Sequence, residues 1–262
     1  MDLQLTDQVA VVTAASKGLG RAAARQLARE GARLVMSARS QVLEQAAAEI
    51  RAETGATIRT IRADVTVPDD IEELIEKTVA EFGRLDILVI NAGGPPSGGF
   101  LDLTVVDWEA AIQLTLMSAV RLCYEAVPHM LQQGGGSIVA IESISIRQPI
   151  DNLILSNSIR LAVVGMLKSL ANELGPQGIR VNTINPTFTW TGRVEQLLAD
   201  RAASKGTTVE EEKDKTVAGI PLGRVGDVEG FGRAVAWLAS PAAGFIHGHN
   251  LMFDGGATRA TV

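Results

Sequence analysis

The sequence predicts an α/β fold in which one parallel β-sheet is covered by helices on both faces. Short runs rich in Val and Ile alternate with longer runs of helical periodicity along the chain, a pattern typical of βαβ units. The strand-like runs are continuously apolar, as expected for strands buried on both faces. No repeat of fixed period and no change in composition marks a second domain, so residues 1–262 are predicted to form a single domain.

The elements follow one another in regular order. The first four predicted strands are QVAVVT, ARLVMS, TIRTIRAD and LDILVINAG, and they are followed in turn by the helical runs RAAARQLAREG, QVLEQAAAEIRAETG, DDIEELIEKTVAEFG and 104–132. After Gly136 the predicted strands are SIVAIES, GIRVNTINP and HNLMFDGG, and the predicted helices between them are 154–175 and EGFGRAVAWLAS. Strands joined by helices in this way form a doubly wound parallel sheet.

One segment departs from this pattern. Residues 192–218 are highly charged and lie between a predicted strand and a predicted helix. Their position indicates a mobile lid over the carboxyl edge of the sheet, where such folds bind ligands. The alternative is a solvated pair of helices that does not contact a ligand.

Composition narrows the possible functions. The chain of 262 residues is 46% hydrophobic, which is enough to fill a sizeable core, and its formal net charge is −6. An acidic chain without a basic stripe or polybasic tail argues against nucleic acid or an anionic membrane as partner and favours a small molecule. Cys123 stands alone in an apolar helical run, so we expect a buried thiol. No eighteen consecutive apolar residues occur, and the first residues do not resemble a signal peptide, so a cytoplasmic location is expected.

The first predicted strand leads into the glycine-containing turn TAASKGLG and then a helix. Such a turn lets backbone amides approach a pyrophosphate, which the positive end of the helix also attracts. The second strand ends at Ala38 and Arg39, where an NAD-binding fold places an acidic residue on the ribose. Arg39 and Lys17 instead offer cations to the extra phosphate of NADP. The predicted cofactor is therefore NADP(H), and the predicted loop contacts are Thr13, Ser16, Lys17, Gly18, Leu19 and Gly20.

These motifs and several others together resemble the short-chain dehydrogenase/reductase family, and particularly its 3-oxoacyl-(acyl carrier protein) reductase-like members. The matching residues are TAASKGLG, Asp64-Val65, Asn91-Ala92-Gly93, Ser143, Arg180-Val181-Asn182 through Pro186, Ile220 to Arg224 and Asp254-Gly255-Gly256. The resemblance covers essentially the whole chain and implies a Rossmann-type fold. It also implies a homo-oligomer, a tetramer or a dimer, because members of the family are commonly tetramers.

The resemblance extends the predicted cofactor site. It implies that Asp64 and Val65 contact the adenine and that Thr191 approaches the nicotinamide carboxamide. It further implies that Asn91, Ala92 and Gly93 flank the cofactor and stabilise the sheet. Ala14 stands at the first glycine position of the family loop, and Thr187 replaces the glycine usual after Pro186. Both departures add a Cβ where a close backbone approach is expected.

The family's catalytic pattern of asparagine, serine, tyrosine and lysine is only partly retained. Thr115 stands where the asparagine is expected, whereas Ser143 matches the serine. Ser156 and Arg160 occupy the positions of the tyrosine and the lysine, in a divergent SNxxR motif. The single tyrosine, Tyr124, belongs to another predicted helix and is not a displaced catalytic residue.

These replacements leave polar groups but no obvious proton donor. The i, i+4 spacing puts Ser156 and Arg160 on one helix face. Arg160 can hold ribose hydroxyls and supply positive charge, but it does not release a proton near neutral pH. Arg147, four residues after Ser143, is a further candidate for the reaction site. One hypothesis is an NADPH-dependent ketone reductase, or a dehydrogenase of the matching secondary alcohol, in which Ser143 binds the carbonyl and Ser156 relays a proton through water. The alternative is a catalytically inactive NADP-binding pseudoenzyme that acts as a sensor or an oligomer partner.

The sequence does not identify the substrate. Leu197 and Leu198 in the lid permit an acyl or cyclic ketone, whereas the acidic run 210–212 argues against an acidic carrier protein as partner. Trp190 either lines the substrate pocket or packs under the lid. The three histidines, His129, His247 and His249, lack a neighbouring ligand set, so no metal site is predicted.

Overall fold

The structure, a computed structural model, describes residues 1–260 and confirms the predicted α/β fold. The seven strands are β1 (Val9–Val12), β2 (Arg33–Ser37), β3 (Ile58–Ile61), β4 (Ile87–Ile90), β5 (Gly136–Ile141), β6 (Ile179–Pro186) and β7 (Asn250–Phe253). The helices are α1 (Gly18–Arg29), α2 (Leu43–Thr54), α3 (Pro68–Phe82), α4 (Val105–Ala111), α5 (Ser118–Gln132), α6 (Ile154–Leu174), α7 (Gly192–Lys205), α8 (Val209–Ala218) and α9 (Val228–Ala239).

The strands form one parallel sheet in the order β3-β2-β1-β4-β5-β6-β7. The chain runs outward from β1 to β3, crosses back to β4 beside β1, and then runs outward on the other side. Adjacent strands on either side of this reversal send their following loops to opposite faces, which leaves a crevice at the carboxyl ends of β1 and β4. That crevice is where the predicted cofactor loop lies.

Both faces of the sheet are buried, which explains the continuously apolar strands. One hydrophobic cluster packs the sheet against α1, α2 and α9, and the other packs it against α3, α5 and α6. Cys123 lies in the second cluster, and its thiol is buried as expected. Burial raises the pKa of that thiol to about 12, so Cys123 is a core residue and a poor nucleophile.

The predicted helix over 104–132 is continuous in the structure but not regular. A π-helical turn, Ile112–Met117, separates α4 from α5. The helices Val105–Gln132 and Ile154–Gln177 are long and apolar enough to cross a membrane by length and composition alone. Residues from both contribute to the hydrophobic cluster against the sheet, as core helices of an α/β domain do.

Candidate active site

The cofactor loop is fastened to the sheet by two side chains. The Thr13 hydroxyl donates a hydrogen bond to the Asn91 carbonyl oxygen at 2.7 Å and accepts one from the Asn91 backbone N–H at 2.9 Å. The Asn91 side-chain amide donates to the Ala14 carbonyl oxygen at 3.3 Å. Thr13 is completely buried. Thr13 and Asn91 therefore join the ends of β1 and β4 and fix the loop from below.

The start of α1 is open for an anion. Lys17 is its N-cap and makes no side-chain cap, and the first turn contains no acidic residue. The backbone N–H groups of Gly18, Leu19 and Gly20 have no acceptor within residues 1–260. Exposed amides at a helix N-terminus form an anion site. This loop therefore fits a pyrophosphate.

Close packing explains the glycine at position 20. A Cβ there would lie 2.6 Å from the Ala14 carbonyl oxygen and 2.6 Å from Asn91 Nδ2. Ala14 itself has a φ of 46°, in the left-handed region that favours glycine. The alanine at the first family glycine position thus keeps the glycine-like backbone at a cost in strain.

Arg39, predicted to bind the extra phosphate, follows β2, and Asp64, predicted to contact the adenine, follows β3. Arg39 Nη1 is 3.2 Å from Asp64 Oδ2, and the Arg39 side chain is 70% exposed. Burial of Asp64 opposes its ionisation, but hydrogen bonds from Thr66 and Arg39 outweigh burial and lower the pKa of Asp64. Lys17 is also exposed. Both predicted cations are therefore accessible to an external phosphate, and Arg39 retains donors beyond the one that Asp64 occupies.

The serine and the arginine of the SNxxR motif are in direct contact. Arg160 Nε donates to Ser156 Oγ at 3.1 Å, as their i, i+4 spacing predicts. Arg160 Nη1 donates to Glu142 Oε2 at 3.0 Å and to the Ile141 carbonyl oxygen at 3.3 Å. The arginine thus links α6 to the carboxyl end of β5. Its Nη2 group has no partner within residues 1–260 and remains available as a donor.

Ser143 lies beside this cluster, directly after β5. It caps a single 3₁₀ turn, Ile144–Ile146, and its hydroxyl oxygen accepts a hydrogen bond from the Ser145 backbone N–H at 3.1 Å. The hydroxyl proton of Ser143 is left to donate outward. Ser143 therefore offers a free hydroxyl donor at the end of β5.

Glu142 is a residue of this site that the sequence reasoning missed. Its side chain is 4% exposed and forms a buried ion pair with Arg160. Burial raises the pKa of Glu142, and the nearby Arg160 opposes this without cancelling it. The available signal was a single charge in the otherwise apolar run SIVAIES, immediately before Ser143.

Asn157, the second residue of SNxxR, has a structural role that was also missed. Its side-chain amide donates to the Ile150 carbonyl oxygen at 2.9 Å, and its side-chain oxygen accepts from the Ile150 backbone N–H at 3.1 Å. Asn157 thus bonds both backbone groups of Ile150, whose carbonyl oxygen also accepts from the Leu153 backbone N–H at 3.2 Å. Asn157 therefore holds the loop between Ser143 and α6 against the helix that carries Ser156.

Thr115, at the expected asparagine position, lies in the middle of the π-helical turn. The residue is 5% exposed, and its hydroxyl oxygen is buried without a hydrogen-bond partner. A π-helical turn widens a helix locally and is frequent at functional sites. The turn packs against α6, so this unsatisfied hydroxyl belongs to the same side of the molecule as Ser156.

Other candidates lie outside this cluster. Arg147 is exposed, and within residues 1–260 its side chain forms no hydrogen bond or ion pair. Lys168 Nζ donates to the Gly248 carbonyl oxygen at 3.0 Å and makes no contact with the Arg160 cluster in the part of the chain that the structure describes. Tyr124 is 76% exposed on α5. Neither Lys168 nor Tyr124 replaces the missing catalytic pair.

The segment 192–218 forms α7 and α8, and its first residues contact the cofactor region. A Cβ on Gly18 would lie 3.8 Å from Thr191 Cγ2, so Thr191 packs beside the loop. Arg193 Nη2 donates to the Pro95 carbonyl oxygen at 3.3 Å, which joins the lid to the loop after β4. These contacts favour the interpretation of the segment as a lid over the interpretation as an unconnected helical pair.

A buried glutamate joins the two helices of the lid through ion pairs and hydrogen bonds. Glu212 is buried between the two helices and accepts hydrogen bonds from Lys215, Lys205 and Thr207. The hydrogen bond from Lys215, aided by those from Lys205 and Thr207, lowers the pKa of Glu212 to about 2. One of the three acidic residues of the run 210–212 is therefore neutralised inside the lid, which weakens the argument from that run against an acidic partner. Lys213 lies over the Trp190 ring at 5.4 Å, so Trp190 packs under the lid.

The side chain of one histidine, His247, makes structural contacts. His247 accepts a hydrogen bond from the Val181 backbone N–H and lies 2.8 Å from the Ala171 carbonyl oxygen through Nε2. Within residues 1–260, no three His, Cys, Asp or Glu side chains lie close enough to share a metal ion.

The chain is similar over nearly its whole length to known reductases and dehydrogenases. Residues 13–258 match the family model described as enoyl-(acyl carrier protein) reductase. The chain is 35% identical over 254 residues to cis-4-hydroxycyclohexanecarboxylate dehydrogenase of Sinomonas cyclohexanicum, covering 96% of this chain and 97% of that protein. It is 31% identical over 256 residues to the 3-oxoacyl-(acyl-carrier-protein) reductase FabG of Vibrio cholerae, covering 97% and 98%.

A solved structure agrees with these relatives. L-sorbose reductase from Gluconobacter frateurii, complexed with NADPH and L-sorbose, superposes with a TM-score of 0.94 at 30% identity. The match covers 99% of this chain and 100% of that one. The similarity therefore extends over the sheet, the cofactor loop and the lid alike.

Proposed function

The chain belongs to the short-chain dehydrogenase/reductase family, and we propose that it is an NADP(H)-dependent oxidoreductase that reduces a ketone or oxidises the matching secondary alcohol. The observation that carries this proposal is an open anion site at the start of α1 beside a polar cluster at the end of β5. Proteins similar to this chain include cis-4-hydroxycyclohexanecarboxylate dehydrogenase and an L-sorbose reductase crystallised with NADPH, and both names support the proposal.

The residues of this chain suit NADP(H). The amides at the start of α1 would hold the pyrophosphate, and Arg39 and Lys17 would hold the additional phosphate. Asp64 and Val65 would border the adenine, and Thr191 the nicotinamide end. When bound, the nicotinamide supplies or accepts the hydride.

The polar cluster would handle the oxygen of the substrate. Ser143 would donate its hydroxyl proton in a hydrogen bond to the carbonyl oxygen, because its own oxygen already accepts from the backbone. Arg160 would stabilise negative charge on that oxygen and use its free Nη2 group to hold ribose hydroxyls. The Ser156 hydroxyl accepts from Arg160 and would relay a proton through water.

A titration with NADPH and NADH, followed by tryptophan fluorescence or calorimetry, tests the cofactor assignment. We expect saturable binding of NADPH that is tighter than that of NADH. Arg39→Ala should weaken NADPH binding by roughly 10-fold or more and leave NADH unchanged, since a charge-assisted phosphate contact contributes about 1.5–3 kcal/mol. Arg59→Ala is the control, because Arg59 is exposed on β3 and paired with Glu81. Equal binding of NADPH to the Arg39 variant and the wild type contradicts the assignment.

A catalytically inactive NADP-binding protein is the second candidate, favoured by one observation. Ser156 and Arg160 stand where the family tyrosine and lysine would be, and neither is a ready proton donor near neutral pH. The double substitution Ser156→Tyr with Arg160→Lys separates the candidates in a ketone screen with NADPH. Activity gained from an inert parent supports the inactive protein, whereas activity lost from an active parent supports a working alternative site.

We further propose that the protein is a cytoplasmic homo-oligomer, a tetramer or a dimer, whose substrate is a small carbonyl compound or alcohol. Large apolar side chains of α4, α5 and α6 are exposed, and they are Val105, Val106, Tyr124 and Leu161. Exposed apolar surface of this kind suits an interface between subunits. Sedimentation equilibrium tests the oligomer, and a single species of monomer mass would contradict it.

A further inference from the structure

Glu142 is the most unusual group in the site, because it is a nearly buried carboxyl directly after β5 with few compensating contacts. Its side chain is 4% exposed. One oxygen, Oε2, accepts a single hydrogen bond from Arg160 Nη1 at 3.0 Å, and the other, Oε1, has no partner within residues 1–260. A buried carboxylate is costly unless several donors satisfy it. Burial therefore favours the protonated form of Glu142, and the contact with Arg160 favours the ionised form.

One charged group acts on Glu142 within residues 1–260. It is Arg160 on α6, which forms the ion pair with the Glu142 carboxyl. Burial is the larger influence and raises the pKa of Glu142, whereas Arg160 lowers it. Glu142 thus keeps its proton to a higher pH than an ordinary glutamate.

The contacts of Arg160 connect Glu142 to the reaction site. Its guanidinium group bonds Glu142 through Nη1 and Ser156 through Nε at 3.1 Å. A substrate oxygen that Ser156 reaches through one water would lie within about 9 Å of the guanidinium group, given hydrogen bonds of about 3 Å. At that range the charge of Arg160 acts on a developing alkoxide, and so does any carboxylate that cancels it.

We propose that Glu142 is a positioning residue that holds Arg160 toward Ser156 and, by gaining or losing its own proton, sets whether the positive charge of Arg160 is available to the substrate oxygen. This inference rests on the proposed oxidoreductase function. With Glu142 protonated, Arg160 carries an uncompensated charge that stabilises the alkoxide. With Glu142 ionised, the pair is neutral as a whole and the stabilisation is reduced. The role is filled by the residue that directly follows β5, and it acts only through Arg160.

The pH dependence of reduction with a ketone found in the screen tests this role. For the wild type, kcat/KM should fall by roughly 10- to 100-fold as pH rises through the pKa of Glu142, the effect of cancelling one charge at this distance. Glu142→Gln should abolish that fall and keep the high rate at alkaline pH, because the amide oxygen still accepts from Arg160 and does not ionise. Glu142→Asp should retain a fall, since it retains an ionisable group.

Glu173→Gln is the matched control, since Glu173 is an exposed glutamate on α6, the helix that carries Arg160. It should leave the profile unchanged. A wild-type alkaline fall that persists in Glu142→Gln overturns the proposal, and so does a Glu142→Gln protein that binds NADPH normally but is slow at every pH. Thermal melting and NADPH binding show whether each variant is folded.

An infrared titration measures the protonation of Glu142 directly and needs no substrate. The difference spectrum of wild type minus Glu142→Gln isolates one carboxyl group, measured in the protein with and without NADPH. A protonated carboxyl band that persists above about pH 5.5, where an ordinary glutamate is ionised, supports the proposal. A carboxylate that stays ionised from about pH 5 to 9 overturns it. Failure of NADPH binding or of the ketone screen would count against the proposed function, whereas the infrared result concerns Glu142 alone.

Discussion

Removing Arg160 should destabilise the protein in a way that depends on pH. Arg160→Met keeps the length of the apolar stem but leaves the buried Glu142 without its cation. At 3.0 Å, two unit charges attract by about 5.5 kcal/mol at an effective dielectric constant of ~20. Removing one partner of a buried pair typically costs about 3–5 kcal/mol when the other stays charged. Glu142 can instead take up a proton, and this limits the loss of folding free energy.

The limit can be worked out from the pKa of the carboxyl. Each unit by which the folded-state pKa exceeds the unfolded value of about 4.3 corresponds to about 1.36 kcal/mol. If the ionised form costs more than protonation does, Glu142 takes up a proton instead. At pH ~7 the loss of folding free energy from an unpaired Glu142 is therefore at most about 3.7 kcal/mol. Burial already raises the wild-type pKa of Glu142, which reduces the difference between the two proteins. We expect a loss of about 2–3 kcal/mol near pH 8 and about 1 kcal/mol near pH 5.5.

The destabilisation by Arg160→Met should grow as pH rises, because proton binding by Glu142 is linked to folding. Arg160→Met raises the folded-state pKa of Glu142 further, so the stability carried by the protonated carboxyl is complete below the unfolded pKa and is lost as pH rises through the folded one. Urea unfolding followed by tryptophan fluorescence at the two pH values measures the change. In the double variant Glu142→Gln with Arg160→Met, the pH dependence of the penalty should disappear. A penalty that is the same at both pH values, or larger at the acidic one, would refute the reasoning.

Three further predictions concern the loop, the helix and the lid. Asn157→Ala should lower the free energy of unfolding by about 1–3 kcal/mol, because the Ile150 backbone N–H loses its partner and the Ile150 carbonyl oxygen loses one of two, and thermal melting checks this. Gly20→Ala should abolish NADPH binding in the same titration and cost about 1–3 kcal/mol of stability, whereas Gly165→Ala, with open space around its Cβ, should do neither. Because the pKa of Glu212 is lowered to about 2, its contribution to the lid is present above the unfolded value and is lost as pH falls toward about 2. Limited proteolysis should therefore cut the lid of Glu212→Gln already near neutral pH, and a lid as resistant as that of the wild type would contradict this.

The backbone architecture was predictable because it rests on patterns that are local in the sequence. Continuous apolar strands alternate with amphipathic helices, and each predicted run coincides with a strand or helix of the structure. Local chemistry also marks boundaries, since α3 begins at Pro68 and both α2 and α3 end at glycines with positive φ. The π-helical turn at 112–117 was not predicted, because its apolar spacing does not differ visibly from that of a regular helix.

The site was predictable only where residues are close in sequence. The contact between Ser156 and Arg160 follows from helical spacing, whereas the partnership of Arg160 with Glu142 joins residues 18 positions apart. The role of Asn157 depends in the same way on where the preceding loop returns to the helix. Burial of Glu212 between two helices was hidden in a run of three glutamates that looks uniformly solvated in the sequence. Tertiary contacts decide each of these cases.

The proposed reaction depends on Ser143 as the donor to a substrate oxygen, and one comparison tests this most directly. The measurement is the steady-state oxidation of NADPH across a panel of ketones, by the wild type, Ser143→Ala and the exposed-helix control Ser169→Ala. We predict turnover by the wild type and the control, and a loss of roughly 10²- to 10³-fold in kcat for Ser143→Ala, as for removal of one donor to a developing oxyanion. Equal turnover by wild type and Ser143→Ala, with NADPH binding intact in both, would contradict the account.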